Sequence, residues 1–490
     1  MSAIAFGIDV GTTGVKGVAL DVERGIVAEA GRGNALGSPR PGWAEADPGQ
    51  WSANVADVLA ELASRIDVAR VVGVATTGMV PAVVCLDASG RPLRKAILQN
   101  DARAVTEVAE VGELLRDADV LRRTGSPVTQ QSVAPTTRWL RTHEPDVWDR
   151  TATVLGSYDA VLTGLGARPH VELNWAIESG LFDLDGRPFG PAVAAGGVGD
   201  RLPPVASGGT VVGELSAAAS ARTGLPQGIP LVVGGADHVL SAYGAGLTSP
   251  GDWLVKLGGA GDILAVSAEP VSDDRFYLDR HPVDGLWLPN GCMATSGSLV
   301  RWVQALLGED DLASLDDGAS RREAASLLCL PYFLGEKTPL NDPLLRGVFA
   351  GLHLGHDRHD LHRAALEGIA FGFRHNADVL RARGIALTTA SITNGGATSA
   401  LWKQIHADVL GTPLRTLRDH PGAALGAAVA AAVGGSALPG WQAIDAFVRP
   451  GPVIDPNPVL TSRYDDAYRQ WRALGEATAP TMRALSRGSG

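Results

Sequence analysis

Residues 7–17 read Gly-Ile-Asp-Val-Gly-Thr-Thr-Gly-Val-Lys-Gly, one carboxylate set two residues ahead of a glycine and threonine turn on an otherwise apolar strand. The stretch before it, Ala3 to Ile8, is apolar and β-prone, and Val15 to Leu20 alternates around Lys16 and Gly17. The pattern predicts a β-hairpin with a polar tip. At that tip Gly11 permits close approach of backbone to a ligand, Thr12 and Thr13 add hydroxyls, and Lys16 adds a cationic point charge. Asp9 would then be a hard oxygen ligand for Mg²⁺. Lysine is scarce, only five of the 42 basic residues (16, 95, 256, 337 and 403), so one beside such a turn carries information. An ordinary hairpin with a solvated turn fits the same residues, whereas a P-loop does not, because Gly-x-x-x-x-Gly-Lys-Ser/Thr is absent.

The chain of 490 residues is too long for one core and predicts two or three domains. A net charge of −11 argues against a broad nucleic-acid or anionic-membrane footprint and leaves room for a small anionic ligand. Cys85, Cys292 and Cys329 are far apart in mostly apolar surroundings, which predicts buried, reduced thiols and neither a disulfide framework nor a zinc site. The start has no basic region ahead of its apolar segment, and the most apolar later run, 423–435, is too short to span a bilayer. A soluble cytoplasmic protein is the expectation.

Further strands are predicted at Val71–Ala75 and Val83–Leu86, and helices over about 48–66 and 104–121. A strand, Leu231-Val-Val, meets Gly234-Gly235 and a helix from Asp237 to Ala245; the Gly-, Ser- and Pro-containing connector 246–251 then marks the domain boundary. Residues 252–267 repeat the opening device, an apolar strand, a glycine-rich tip and a second strand, so each half begins alike. Two such tips facing each other would offer backbone N–H groups to one polyphosphate. Helices are predicted over 361–379 and 399–410, and Ser391–Thr398 reads as a strand ending in a glycine turn.

Asp237 sits where a strand ends and a helix begins, a place that suits a base and equally a plain N-cap aspartate. His356, His359 and His362 are spaced at three, but all three would lie in the exposed first turns of a helix, which disfavours a metal site.

Taken together these residues resemble the FGGY carbohydrate kinases, a family that includes xylulokinase, ribulokinase and glycerol kinase. The resemblance runs in order through Asp9–Lys16, Gly42-Trp-Ala-Glu-Ala-Asp-Pro48 with Trp51, Ile97-Leu-Gln-Asn-Asp-Ala-Arg103, Gly234-Gly-Ala-Asp-His238 and Leu257-Gly-Gly-Ala-Gly261. It continues through Pro331–Pro339, Arg346–Leu352, Asn394-Gly-Gly-Ala-Thr398 with Trp402 and Gln404, and Ala424–Ala428. It implies an α/β fold of two ribonuclease H-like, actin-like ATPase domains flanking a deep catalytic cleft, with residues 1–248 binding sugar and 249–490, ending in a helical tail, binding ATP. It further implies Asp9 near Mg²⁺, the turn Gly11, Thr12, Thr13 with Lys16 near the transferred phosphate, and Asp237 as the catalytic base. Gly258, Gly259 and Gly261 would form the second phosphate hairpin, while Gly297, Arg301, Gly395, Gly396 and Ala397 would surround the nucleotide. Met79, Val80, Asp101, Asp237 and His238 would meet the substrate. Dimers are common among such relatives, so a homodimer is a further expectation.

The chain departs from its relatives at the sugar pocket. Thr76-Thr-Gly-Met-Val-Pro-Ala82 has neither the Gln-Met-His-Gly of xylulokinases nor the Gln-Arg-Glu of glycerol kinases; Gln99 replaces a Trp, and His238 replaces the usual Asn or Gln after the base. The second hairpin has Gly259-Ala260 where Thr-Ser is common. The favoured reading is an ATP-dependent kinase for a ketose or polyol, D-xylulose first, another pentulose or a tetritol such as erythritol next. The alternatives are an actin-like ATPase that clasps a protein and a family member that binds sugar without catalysis.

Overall fold

The computed structural model describes residues 2–40 and 42–487, and the chain divides into two compact units. One contains residues up to Gly246 together with 278–287 and 421–448; the other contains 247–277, 288–420 and the residues from Arg449 on.

In the first unit β1 (Ile4–Val10) and β2 (Gly14–Asp21) form the expected antiparallel hairpin, with Asp9 opposite Lys16. β3 (Gly25–Gly33) adds antiparallel to β2, β4 (Val71–Gly78) lies parallel to β1, β6 (Pro230–Ala236) lies parallel to β4, and β5 (Val211–Glu214) closes the edge antiparallel to β6. Helix α1 (Pro48–Ala63) is capped by Asp47 and buries Trp51, Val55 and Leu59 at helical spacing. Helices α2 (Leu173–Glu178) and α3 (Asp237–Gly244) complete the surroundings of the site described below.

The second unit repeats the plan. β7 (Asp252–Leu257) and β8 (Gly261–Ala265) make the second hairpin, β9 (Trp287–Met293) extends it antiparallel, β10 (Thr389–Thr393) and β11 (Leu414–Leu417) run parallel to β7, and β12 (Pro450–Ile454) is antiparallel to β11. The orders β3-β2-β1-β4-β6-β5 and β9-β8-β7-β10-β11-β12 therefore match strand for strand in direction. The repeat suggested by the two glycine tips extends to six strands of each sheet, and the second sheet carries a seventh, Tyr277–Arg280, beside β9. Helices α4 (Gly297–Leu306), α5 (Arg358–Ala382), α6 (Ala400–Leu410) and α8 (Pro458–Arg487) supply the rest of its core, where Trp253, Phe371, Trp402 and Trp471 are buried.

Helix α7 (Ala423–Gly434) belongs by its packing to the first unit, so a single division after residue 248 does not describe the contacts. The reason is its lack of bulk. A Cβ on Gly7 would stand 2.1 Å from the carbonyl oxygen of Ala424, and one on Gly73 2.7 Å from that of Ala431. Glycine on the strands and alanine on the helix let backbone meet backbone, and the helix is buried from Ala423 to Ala432.

Two further expectations change. The helix expected over 104–121 stops at Leu114, and Asp119 adopts a left-handed φ of 53° that an α-helix cannot carry. His362 is not exposed: a capping box at Asp357 starts α5, and by its second turn His362 is fully buried with Nε2 2.8 Å from Oδ1 of Asp316. Cys85 and Cys329 are buried as expected whereas Cys292 is half-buried; desolvation raises the Cys85 thiol to about 11, that of Cys292 to about 12, and Cys329 too, which leaves all three inert.

The close approach of α7 makes a prediction. Gly7→Ala should destabilise the protein by about 1–3 kcal/mol in urea denaturation, whereas Gly112→Ala, in a helix with open space around it, should stabilise by about 0.5–1 kcal/mol. An unchanged midpoint for the first variant would contradict this packing.

Candidate active site

The parallel register gathers the first unit's residues. Asp9 pairs with Thr77 and Thr77 with Gly235, while Val10, Gly78 and Ala236 form the next row. Beyond those rows the chain leaves the sheet as the Gly11 turn, as Met79 and as Asp237. Adjacent strands lie about 4.8 Å apart, so Asp9 and Asp237 stand on one sheet edge roughly 10 Å from each other. Thr77 Oγ1 donates to the Gly235 carbonyl at 2.6 Å and ties β4 to β6 there.

Asp237 is not a helix cap. The cap position is Ala236, Asp237 is the first helical residue, and its side chain makes no capping bond and is about a third exposed. Unpaired N–H groups at a helix start attract negative charge, and this carboxylate is left available for other work.

The first turn is a tight one: Gly11 N–H donates to the Gly14 carbonyl at 3.0 Å, and Asn34 braces it by donating from Nδ2 to the Gly11 carbonyl at 2.8 Å. Thr12 Oγ1 lies 3.9 Å from Met79 Sδ, so the expected phosphate turn and the expected sugar loop adjoin. Lys16 is exposed and follows the turn directly opposite Asp9. Met79 and Val80 are buried. A polar network backs their loop: Ser157 Oγ donates to the Met79 carbonyl (3.0 Å), Trp175 Nε1 to the Ala82 carbonyl (2.9 Å) and Tyr158 Oη to Glu172 (2.9 Å).

Asp101 is placed otherwise. Both of its oxygens are taken, one by the backbone N–H and Nε of Arg103, the other by Arg103 Nη2 and the Ala44 N–H, and its side chain is 1% exposed. Arg103 also pairs with Glu45 and stacks 3.7 Å over Trp43. The two stretches 42–48 and 97–103 are thus halves of one buried salt-bridge cluster, in which Glu45 and Arg103 were given no role by sequence reasoning. His238 faces inward to Glu178 and Asp279, again residues that no local pattern marks.

In the second unit the expected nucleotide residues converge. Gly297 N–H donates to the Gly258 carbonyl (2.8 Å), Ser298 N–H and hydroxyl donate to the Gly259 carbonyl (3.0 and 2.8 Å), and Ser296 N–H donates to the same carbonyl (2.9 Å). The start of α4 thereby grips the carbonyl side of the hairpin tip. Arg301 Nη2 is 3.4 Å from where a Cβ of Gly259 would stand, and Asn394 Nδ2 is 3.8 Å from that of Gly258. Lys256 pairs with Thr393 in the β7–β10 register, so the tip with Gly261 and the turn Gly395-Gly396-Ala397 leave neighbouring strand ends.

A cavity of about 340 Å³ in the first unit, walled by Asn174, Gly234, Arg280 and Trp441, contains none of the expected site residues. Among the described residues no helix is long and apolar enough to cross a membrane.

The network behind Met79 titrates. Burial pushes Glu172 and Asp159 up to about 8. The folded state therefore holds protons that the unfolded chain releases near pH 4 to 5, and the stability this contributes falls as pH rises through that range toward 8. Glu172→Gln should flatten the decline in denaturation midpoint between pH 6 and 9; an equal or steeper decline would contradict the assignment.

Comparison with known proteins identifies the family. The model of the FGGY family of carbohydrate kinases, N-terminal domain, matches residues 4–244, and that of the C-terminal domain matches residues 257–435. The chain is 30% identical over 430 residues to a xylulose kinase of Escherichia coli K12, covering 86% of this chain and 88% of that one. It is 27% identical over 490 residues to a xylulose kinase of Staphylococcus epidermidis, 97% of each. The crystal structure of xylulose kinase from Rhodospirillum rubrum superposes with a TM-score of 0.90 at 43% identity, over 98% of this chain and 99% of that one.

Proposed function

The chain belongs to the FGGY family of carbohydrate kinases, and from that premise we propose that it transfers the γ-phosphoryl group of ATP to a hydroxyl of D-xylulose, with Asp237 accepting the proton. One observation carries the role of Asp237: it opens a helix without capping it, on the sheet edge that also bears Asp9 and the Thr12 turn. D-xylulose is favoured because the xylulose kinases of E. coli and R. rubrum align with 86% and 98% of this chain. Met79-Val80-Pro81 and His238, at positions expected to meet sugar, motivate a second choice, another pentulose or a tetritol such as erythritol.

A loose phosphoryl-transfer transition state needs alignment and charge neutralisation more than a strong base. Thr12 and Thr13 offer N–H and hydroxyl groups to the transferred phosphate, Gly11, whose own N–H closes the turn, lets the backbone approach it closely, and Lys16 offers a cation. Gly258, Gly259, Gly261, Gly297, Arg301, Gly395, Gly396 and Ala397 hold the nucleotide, with Arg301 as its charged contact. Met79 and Val80 shape the sugar site, while Asp101 acts through Arg103 and Trp43 rather than by direct contact. Asp9, a partly buried hard oxygen donor at the end of β1, fits Mg²⁺. Mg²⁺, when bound, would neutralise charge on the phosphate oxygens.

Two outcomes test this. Asp237→Asn should lower kcat about 10²–10⁴-fold while calorimetry shows ATP and sugar binding within a few-fold of wild type; near wild-type turnover would remove Asp237 from the chemistry. Asp9→Asn should shift the Mg²⁺ dependence of the rate to higher concentration, and a superimposable titration would count against its role.

A further inference from the structure

The residue after the proposed base is held on three sides by acids. His238 Nε2 lies 2.8 Å from Oδ2 of Asp279 and 3.5 Å from Oε1 of Glu178, and its Nδ1 lies 3.6 Å from Oδ1 of Asp237. The acids come from separate elements: Asp237 from the start of α3, Glu178 from the end of α2, and Asp279 from the strand Tyr277–Arg280. They are the charged groups that act on the ring. Asp279 has no exposed side-chain surface, Glu178 has 11% and His238 15%.

Counting protons decides the form of the ring. A neutral imidazole has one N–H and one lone pair. If Nε2 donates to Asp279, a neutral ring turns its Nδ1 lone pair toward the Asp237 carboxylate, which repels it. An imidazolium carries an N–H on both sides, one donated to Asp279 at 2.8 Å and the other directed at Asp237 across an ion-pair distance of 3.6 Å. Burial opposes that charge, but the carboxylates of Asp279 and Asp237 outweigh it and hold the ring protonated well above the ordinary histidine range. Burial and the charge of Asp279 push Glu178 well above the carboxylate range, so Glu178 stays neutral and the cluster avoids a third negative charge.

Ligand atoms of Glu178, His238 and Asp279 lie within 4.8 Å of one another, which raises a metal reading. The 2.8 Å separation of Nε2 from Oδ2 is a hydrogen-bond distance, shorter than the roughly 3.3 Å between two ligands of a tetrahedral ion with bonds near 2.0–2.1 Å.

We propose that His238 is a positioning residue: anchored by Asp279, its imidazolium steers the Asp237 carboxylate toward the acceptor hydroxyl. The inference rests on the reading of Asp237 as proton acceptor. The proton moves from the sugar hydroxyl to Asp237, and the imidazolium keeps both of its own. Steering is complete while the ring is charged and is lost as pH rises through its raised value.

Nitrogen-15 NMR of the histidine rings in the intact protein tests the pair without requiring turnover, with His238→Gln used to assign the signal. His238 should remain protonated on both nitrogens through pH 8; Asp279→Asn should lower its midpoint by at least one pH unit, a tenfold loss of proton affinity, and Asp237→Asn should shift it measurably. A ring that titrates at or below pH 6.5 or that ignores Asp237→Asn would overturn the proposal. In kinetics, His238→Gln should lower kcat at least tenfold, leave both KM values within about twofold, and abolish the alkaline fall of kcat; an unchanged alkaline limb would also overturn it. A protein that phosphorylates no sugar yet shows the predicted NMR titration would defeat the proposed function and leave the imidazolium assignment standing.

Discussion

The site depends on the parallel register of β1, β4 and β6, because that register alone brings residues 9, 79 and 237 to one sheet edge. Its tightest point is Gly234, where a Cβ would stand 2.1 Å from the carbonyl oxygen of Thr76, at an irregularity between Val233 and Gly235. The bulge sets where β6 ends and hence where Asp237 begins α3. A side chain there would push the strand away, and a one-residue slip would turn the carboxylate to the other face. The same device recurs in the second unit, where Gly258 and Gly395 follow adjacent parallel strands. Two copies of one sheet plan thus present two glycine turns, each braced by a different element: Asn34 in the first, the start of α4 in the second.

Legibility from sequence followed the range of the interactions. Hairpins with glycine tips, α1 behind its Asp47 cap and α6 behind Ser399 are local patterns, and each formed where its residues predicted. The choice between cap and base at Asp237 was not legible, since both need the same residue at the same junction and differ by one helical position. Nor was the allegiance of α7, whose uniform alanine and glycine content shows burial but not a partner; Gly7 and Gly73 are the other half of that signal, hundreds of residues away. Asp279 and Glu178 carry no motif at all, and only the fold sets them beside His238.

Polar residues near the sugar loop fall into two kinds. Asp101 has spent its acceptor capacity on Arg103 and Ala44 and serves as scaffold. Asp237 has spent none on its own helix. Buried charges are tolerated only when paired, so a saturated carboxylate holds structure while an unsaturated one at an accessible edge is free for chemistry. His238 links the two kinds, with Asp279 and Glu178 beside one ring nitrogen and Asp237 beside the other.

The most direct measurement of the central claim is ADP release by purified protein with Mg-ATP, across ketoses, sugar alcohols and sugar acids, with the product weighed by mass spectrometry. The account predicts saturable, D-xylulose-dependent ADP release matched one for one by a sugar monophosphate. ADP release independent of every sugar, or none at all, would contradict it.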